Sequence, residues 1–306
     1  MFESSYLIDP GAHTTRLYDP KTKQILSVRS CRLAKQPQVI GQDALAAAWD
    51  KGDHLVYPFD QEKIVANPTT IVKSLFSQAP PDRYLLVPGA RVLSFQTPDL
   101  SLQEEWKQYL KCANLVKVKM IPAYQPVDYA PFFHIHAGAS LVHFVMGNGN
   151  KVLDYQALDL AGHQMDNAIS KEITRVFQVL ISNEDACALK EAVSHALSQN
   201  RNPILSVVGL NRHNEYVQIQ FRAADLWGCM EPILLEIAHQ AATFVCQKGP
   251  ELMEQVLAAP ILLSGGFGQC YNFVALLERA LHTHVQLCED PENWVINHLV
   301  QSNLVF

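Results

Sequence analysis

Three short stretches hold the residues best suited to chemistry: Leu7-Ile8-Asp9-Pro10-Gly11-Ala12, His134-Ile135-His136-Ala137-Gly138-Ala139-Ser140 and Leu263-Ser264-Gly265-Gly266-Phe267-Gly268. Each brings an apolar run to one or more glycines. Phosphate oxygens settle where backbone N–H groups point outward and no Cβ intervenes, so glycines at such turns suit a nucleotide. Asp9 adds a carboxylate that could hold a cation or its water. A lone glycine after a strand is usually just a turn; the order and spacing of all three stretches carry the reading.

His134 and His136 are two apart on an expected strand, so both imidazoles face one side and could share a transition metal, with His143 or His163 as further ligands. The plainer alternative is a polar lining of an altered phosphate pocket, preferred because the spacing fixes no third ligand. His282 and His284 repeat the pattern at a helix end, as surface residues. There is no GxSxG elbow and no Cys–His signature, so nucleophilic hydrolysis has no support.

The elements that must position these residues follow from periodicity. Tyr6 to Ile8, Thr14 to Tyr18 and Gln24 to Val28 form an expected three-stranded meander. Gln42 to Asp50 and Pro68 to Ser77 are expected helices, separated by extended His54 to Tyr57. A strand at Tyr84 to Val87 follows, then a helix Leu102 to Cys112 with Ser101 and Glu104 as its capping box. Val116 to Ile121 and Phe132 to Ile135 come next as strands, then a hairpin of Leu141 to Met146 and Lys151 to Leu158 around Gly147-Asn148-Gly149-Asn150. From Ala161 the period becomes helical, with Met165, Ile169, Ile173, Val176, Phe177 and Leu180 on one face, and Ala186, Leu189, Val193, Ala196 and Leu197 on the next. Strands Ile204 to Leu210 and Tyr216 to Phe221, a helix Leu226 to Val245, a strand Ile261 to Ser264, and helices Tyr271 to Leu281 and Asn293 to Val300 around a strand His284 to Leu287 complete the chain. Meander, helix, strand, and then the pattern again: the duplication implies two α/β halves facing across a cleft.

Composition narrows the function. The chain has 306 residues, 48% of them hydrophobic, and a net charge of −6 without a basic cluster. That is enough for buried cores and gives nucleic acid nothing electrostatic to bind. Seven scattered cysteines without a CxxC pair fit reduced thiols in a cytosolic compartment. The first residues show no signal peptide, and no apolar run reaches the roughly 20 residues of a membrane span.

On these residues the chain resembles the MreB branch of the bacterial actins from about Tyr6 to His298. Leu7-Ile8-Asp9-Pro10-Gly11 resembles the first phosphate loop, Gly41-Gln42-Asp43-Ala44 with Tyr57-Pro58-Phe59 the small outer subdomain, and Leu86-Val87-Pro88 the strand and proline that follow. Leu160-Ala161-Gly162-His163-Gln164-Met165-Asp166 is similar to the segment after the second hairpin, Glu184 through Lys190 to the adenosine-side helix start, and Ile261 to Gly268 to the adenosine loop. The resemblance implies an actin-like fold of two similar α/β domains: 1–135 with an outer subdomain at about 30–65, 136–290 with one at about 171–255, and a C-terminal helix, 291–306, packing back on the first. It implies ATP as ligand, with Asp9 near the metal or its water, Gly11 and Gly138 at the phosphates, Gly265, Gly266 and Lys190 on the nucleoside side, and Asp166 nearby.

Departures from the pattern weaken hydrolysis. His134, His136, Ala137, Ala139 and Ser140 stand where the family has an acid, glycines and threonines, and imidazole suits a hard cation poorly. Met120-Ile121-Pro122 replaces the expected water-activating glutamate before a proline, so no general base stands there. Pro10 removes a backbone donor, Phe267 takes a glycine's place, and Asn183 takes an acid's. The resulting expectation is a cytoskeletal or morphogenetic pseudo-ATPase with weak or absent Mg²⁺ dependence. It would act in the cytoplasm by association with its own copies or an actin-like partner, any inner-membrane contact being peripheral. A true ATP-dependent filament former and an actin-fold adaptor of a pilus or division assembly are the alternatives. Leu75-Phe76 falls where MreB-type proteins present an apolar membrane loop, although burial on a helix face explains the pair more simply.

Overall fold

The computed structural model describes residues 5–81, 89–94, 100–115, 117–123, 131–148 and 151–301. The chain divides into two compact units, one of residues 1–127 with 293–306 and one of residues 128–292.

The first unit opens with β1 (Ser5–Pro10), β2 (Thr14–Asp19) and β3 (Gln24–Arg29), an antiparallel meander. Short strands β4 (Arg32–Leu33), β5 (Leu55–Val56), β6 (Phe59–Asp60) and β7 (Lys63–Ile64) accompany helix α1 (Gly41–Lys51). Helix α2 (Thr69–Gln78) buries Ile71, Val72, Leu75 and Phe76 on one face, with the Phe76 ring edge-on to Tyr6 at 5.1 Å. The Leu75-Phe76 pair is therefore core. Then come β8 (Gly89–Ser94), α3 (Leu100–Leu110) and β9 (Lys117–Pro122), and the sheet runs β3-β2-β1-β8-β9 with β1, β8 and β9 parallel. Tyr6 and Ile8 of β1, Val92 of β8 and Met120 of β9 join Trp106 and Leu110 of α3 in one core.

The second unit repeats this plan. Strands β10 (Pro131–Ala137), β11 (Val142–Asn148) and β12 (Lys151–Leu158) form its meander. Helices α4 (Gly162–Phe177) and α5 (Asn183–Ser198) lead to a separate hairpin of β13 (Ile204–Leu210) and β14 (Tyr216–Arg222). Helices α6 (Ala223–Cys246) and α7 (Pro250–Leu257) precede β15 (Ile261–Ser264), α8 (Phe273–Leu281) and β16 (Val285–Leu287). Its sheet runs β12-β11-β10-β15-β16, matching the first strand for strand in order and direction. Phe133, Phe144 and Phe244 meet at 5.7–5.9 Å between ring centroids in its core. Helix α9 (Trp294–Gln301) belongs to the first unit.

Several expectations need correction. The helix α3 is already formed at Leu100, which puts Ser101 inside the first turn and not at its cap. Helix α4 stops at Phe177 because Gln178 adopts a left-handed conformation; Val176 is 50% exposed, and Leu180, 62% exposed, bridges to Leu210 beyond the helix end. β8 and α7 were not expected at all. The expected strand Tyr84 to Val87 and the turn residues Gly149 and Asn150 lie outside the described residues. Among the described residues, no helix is long and apolar enough to cross a membrane.

Candidate functional site

In the first unit, the β1–β2 hairpin places Pro10 opposite Thr15 and Asp9 opposite Arg16. At Gly11 a Cβ would lie 2.5 Å from the Thr14 carbonyl oxygen, so the tight return demands glycine. The Ser30 hydroxyl donates to the Gly11 carbonyl at 2.6 Å and lies 2.8 Å from Thr15 Oγ1, fastening the loop to the end of β3. Asp9 Oδ2 sits 3.5 Å from Arg16 Nη1, with the two side chains 23% and 13% exposed. Burial pushes the Asp9 carboxyl above the usual range, and Arg16 opposes that shift. Arg16 Nε also donates to Asn293 Oδ1 at 2.9 Å. The Arg29 guanidinium meets the His13 imidazole beside the same loop. At the end of β9, Met120 and Ile121 are buried and Pro122 follows; this segment carries no acid or base.

In the second unit, the β10–β11 hairpin turns at Gly138, whose N–H donates to the Leu141 carbonyl at 3.0 Å and whose Cβ would stand 3.0 Å from that same oxygen. The turn is clamped on the start of α4: Gly162 N–H donates to the Gly138 carbonyl at 3.3 Å and His163 N–H to the Ala139 carbonyl at 2.8 Å. Two of the orphan donors of that helix are thus satisfied by the loop. One turn along α4, buried Asp166 forms an ion pair with Lys190 of α5 at 2.7 Å, and Lys190 Nζ reaches the Gly162 carbonyl at 3.4 Å. Burial raises the Asp166 pKa, with Lys190 and His163 opposing and Glu184 adding to the rise. Burial works against the Lys190 ammonium, yet Asp166, Cys187 and Glu191 together hold its pKa above the ordinary lysine value.

The third loop leaves β15 at Ser264. Its buried hydroxyl lies 2.7 Å from His134 Nε2 and 2.9 Å from His136 Nδ1, because the parallel register sets Ser264 beside His136. A hydroxyl has one proton to give, so Ser264 donates to one imidazole and accepts from the other. Ser264 thus engages one ring nitrogen of each histidine. His143, hydrogen-bonded to the Tyr155 hydroxyl at 2.7 Å, is held down at a pKa of about 3 by burial and then by His134. Gly265 follows with φ +87°, its would-be Cβ 2.2 Å from the Ala137 carbonyl oxygen, while its N–H donates to Pro291 O at 2.8 Å. Gly266 is exposed next to Glu292. Phe267, expected to crowd an approaching base, turns its ring into the core against Phe273 at 5.8 Å.

The structure therefore gathers Gly138, Asp166 and Lys190 at one end of the second sheet and brings Gly265 against Ala137, one residue before Gly138. Asp9 and Gly11 share a hairpin in the other unit. Sequence reasoning missed Gly162, where a Cβ would press on Lys190 Nζ at 3.3 Å and Ala139 Cα at 3.4 Å. It also missed the hub role of Ser264 and the partner of Asp9. A family model described as MreB/Mbl protein matches residues 134–303, more than half of the 306-residue chain.

The chain belongs to the MreB/Mbl family. Two solved structures of MreB5 of Spiroplasma citri superpose on it with a TM-score of 0.85 at 13% identity. The one bound to ADP is matched over 99% of this chain and 98% of that one, and the one bound to AMPPNP over 99% of each. At that identity the likeness establishes the fold, which is actin-like. No curated protein sequence matches.

Proposed function

We propose that this MreB-family chain is a cytoskeletal actin homologue that binds ATP without efficient hydrolysis and works by association with its own copies or an actin-like partner. The observation that carries the reading is the end of β9, where Met120, Ile121 and Pro122 leave no group able to activate water. The glycine turns support a nucleotide: at Gly11 and Gly138 a Cβ would stand 2.5 and 3.0 Å from carbonyl oxygens. Gly11 and Gly138 are proposed for phosphate, and Gly265, Gly266 and Lys190, held by Asp166, for the nucleoside side. Bound ATP would supply a phosphoanhydride whose cleavage needs a water that Met120, Ile121 and Pro122 could not polarise. A divalent cation fits less well, since Asp9 is already opposite a guanidinium and two imidazoles occupy the strand end at Ser264. The setting proposed is cytoplasmic, with any membrane contact borrowed from partners.

Thermal unfolding with and without ATP, alongside phosphate release and sedimentation, tests this. A native-state ligand at a hundredfold excess over its dissociation constant adds about 2.7 kcal/mol of stability. The expected result is such a rise, phosphate release no faster than the blank, and pelleting in both the presence and the absence of nucleotide. Sustained turnover would remove the pseudo-ATPase reading. No shift at millimolar ATP would remove the nucleotide and leave a scaffold.

A further inference from the structure

We infer that Arg16 is a built-in counter-cation for Asp9, so that nucleotide binds this chain without the divalent metal that the family fold implies. The inference rests on the nucleotide reading above and concerns what neutralises charge at the first loop. Asp9 and Arg16 stand directly opposite across the β1–β2 hairpin, 3.5 Å apart between Oδ2 and Nη1. Opposed charges at such a position hold each other without help from the loop. The guanidinium is held in place by further contacts: Nε donates to Asn293 Oδ1 at 2.9 Å, and Nη1, the nitrogen that faces Asp9, also reaches the Thr14 carbonyl at 3.5 Å.

Magnesium demands near-ideal octahedral oxygen ligation and gives up its water reluctantly. A carboxylate already committed to an arginine is a poor recruit for it. Such a carboxylate also repels a phosphate less than a bare one would. A second guanidinium, Arg29, lies beside the same loop at His13. The second unit uses the same device, with buried Asp166 neutralised by Lys190 at 2.7 Å. Each carboxylate proposed for the nucleotide site thus carries a basic partner from its own unit.

The test is calorimetric titration of ADP and ATP into the full chain in magnesium buffer and in EDTA. The wild-type affinity is expected to agree within about threefold between the two buffers, below the tenfold that 1.4 kcal/mol would make. Arg16→Leu uncovers the Asp9 carboxylate: affinity in EDTA should fall by about tenfold, the scale of one charge-assisted hydrogen bond, and magnesium should restore it. Arg16→Lys should keep the wild-type pattern, and it decides the matter with the wild-type comparison should Arg16→Leu misfold. A wild-type affinity more than tenfold weaker in EDTA would overturn the counter-cation and leave the nucleotide reading standing. Equal binding of Arg16→Leu in both buffers would also overturn it. Binding in neither buffer would overturn both readings together.

Discussion

Replacing Lys190 by methionine probes the second unit most sharply. The ammonium lies 2.7 Å from Asp166 Oδ1, and the side chains are only 14% and 7% exposed. Methionine keeps the length and the apolar stem but strands a buried carboxylate. Removing one partner of such a pair costs about 3–5 kcal/mol, far more than the pair itself contributes over an apolar replacement. The pH dependence gives a second, independent signature. Burial already raises the Asp166 pKa, and the neighbouring Lys190 ammonium opposes that rise more strongly than any other group. Without the lysine, the native state holds the Asp166 proton more tightly than the unfolded chain, whose carboxyl titrates near 3.9. A native state that binds more protons loses stability as pH rises, so the penalty is full above the raised native pKa and shrinks on acidification towards the unfolded value. Urea unfolding of Lys190→Met and of Asp166→Leu/Lys190→Met, each at pH 8 and pH 5, measures this. The single variant should lose more at pH 8 than at pH 5, and the double variant should recover much of the loss. A cost below about 1 kcal/mol at pH 8, as for an exposed pair, or one unchanged at pH 5, would refute the reasoning.

Three other outcomes follow from particular contacts. Gly265→Ala combines a φ of +87° with a Cβ 2.2 Å from the Ala137 carbonyl oxygen, and should cost more than the roughly 1–3 kcal/mol of backbone strain alone by chemical denaturation. His143 is depressed from 6.5 to about 3 in the folded protein, so its contribution is present above pH 6.5 and lost as pH falls towards 3; the stability–pH profile of His143→Asn should be flatter over that window. Leu75→Ala, at a side chain 2% exposed, should cost about 2–5 kcal/mol of stability, whereas a membrane-contact role would instead lower vesicle binding at constant stability.

Much of this fold was legible because its signals are local. The two meanders read from alternation, and the long helices from the inward march of Met165, Ile169 and Ile173 or of Ala186, Leu189 and Val193. β8 was hidden by Pro88-Gly89, a turn signal that runs into the first residue of a strand whose apolar pair, Val92 and Leu93, is short. α7 did carry its own signal in Pro250 at the first turn with Glu251 beside it, the usual proline-first start of a helix. Within the site, glycines and carboxylates were visible as residue types, while their partners were not. Ser264 meets His134 and His136 across some 130 positions through a parallel register that no local pattern encodes. Arg16 was readable in principle, since a hairpin closing Pro10 on Thr15 must set residue 16 against residue 9. Side-chain commitment of this kind depends on pairing, and pairing is a property of the folded chain.

The discontinuous make-up of the first unit has a consequence for synthesis. Its sheet emerges from the ribosome before the second unit, yet α9 and Asn293, which accepts from Arg16, come only after the uninterrupted second unit of residues 128–292 has been made. Domains generally fold in the order in which they are synthesised. Here the order is inverted for completion: the first sheet waits on the nascent chain without α9 while the later unit can already finish, and the Asp9–Arg16 loop acquires its Asn293 anchor only once the second unit has been synthesised.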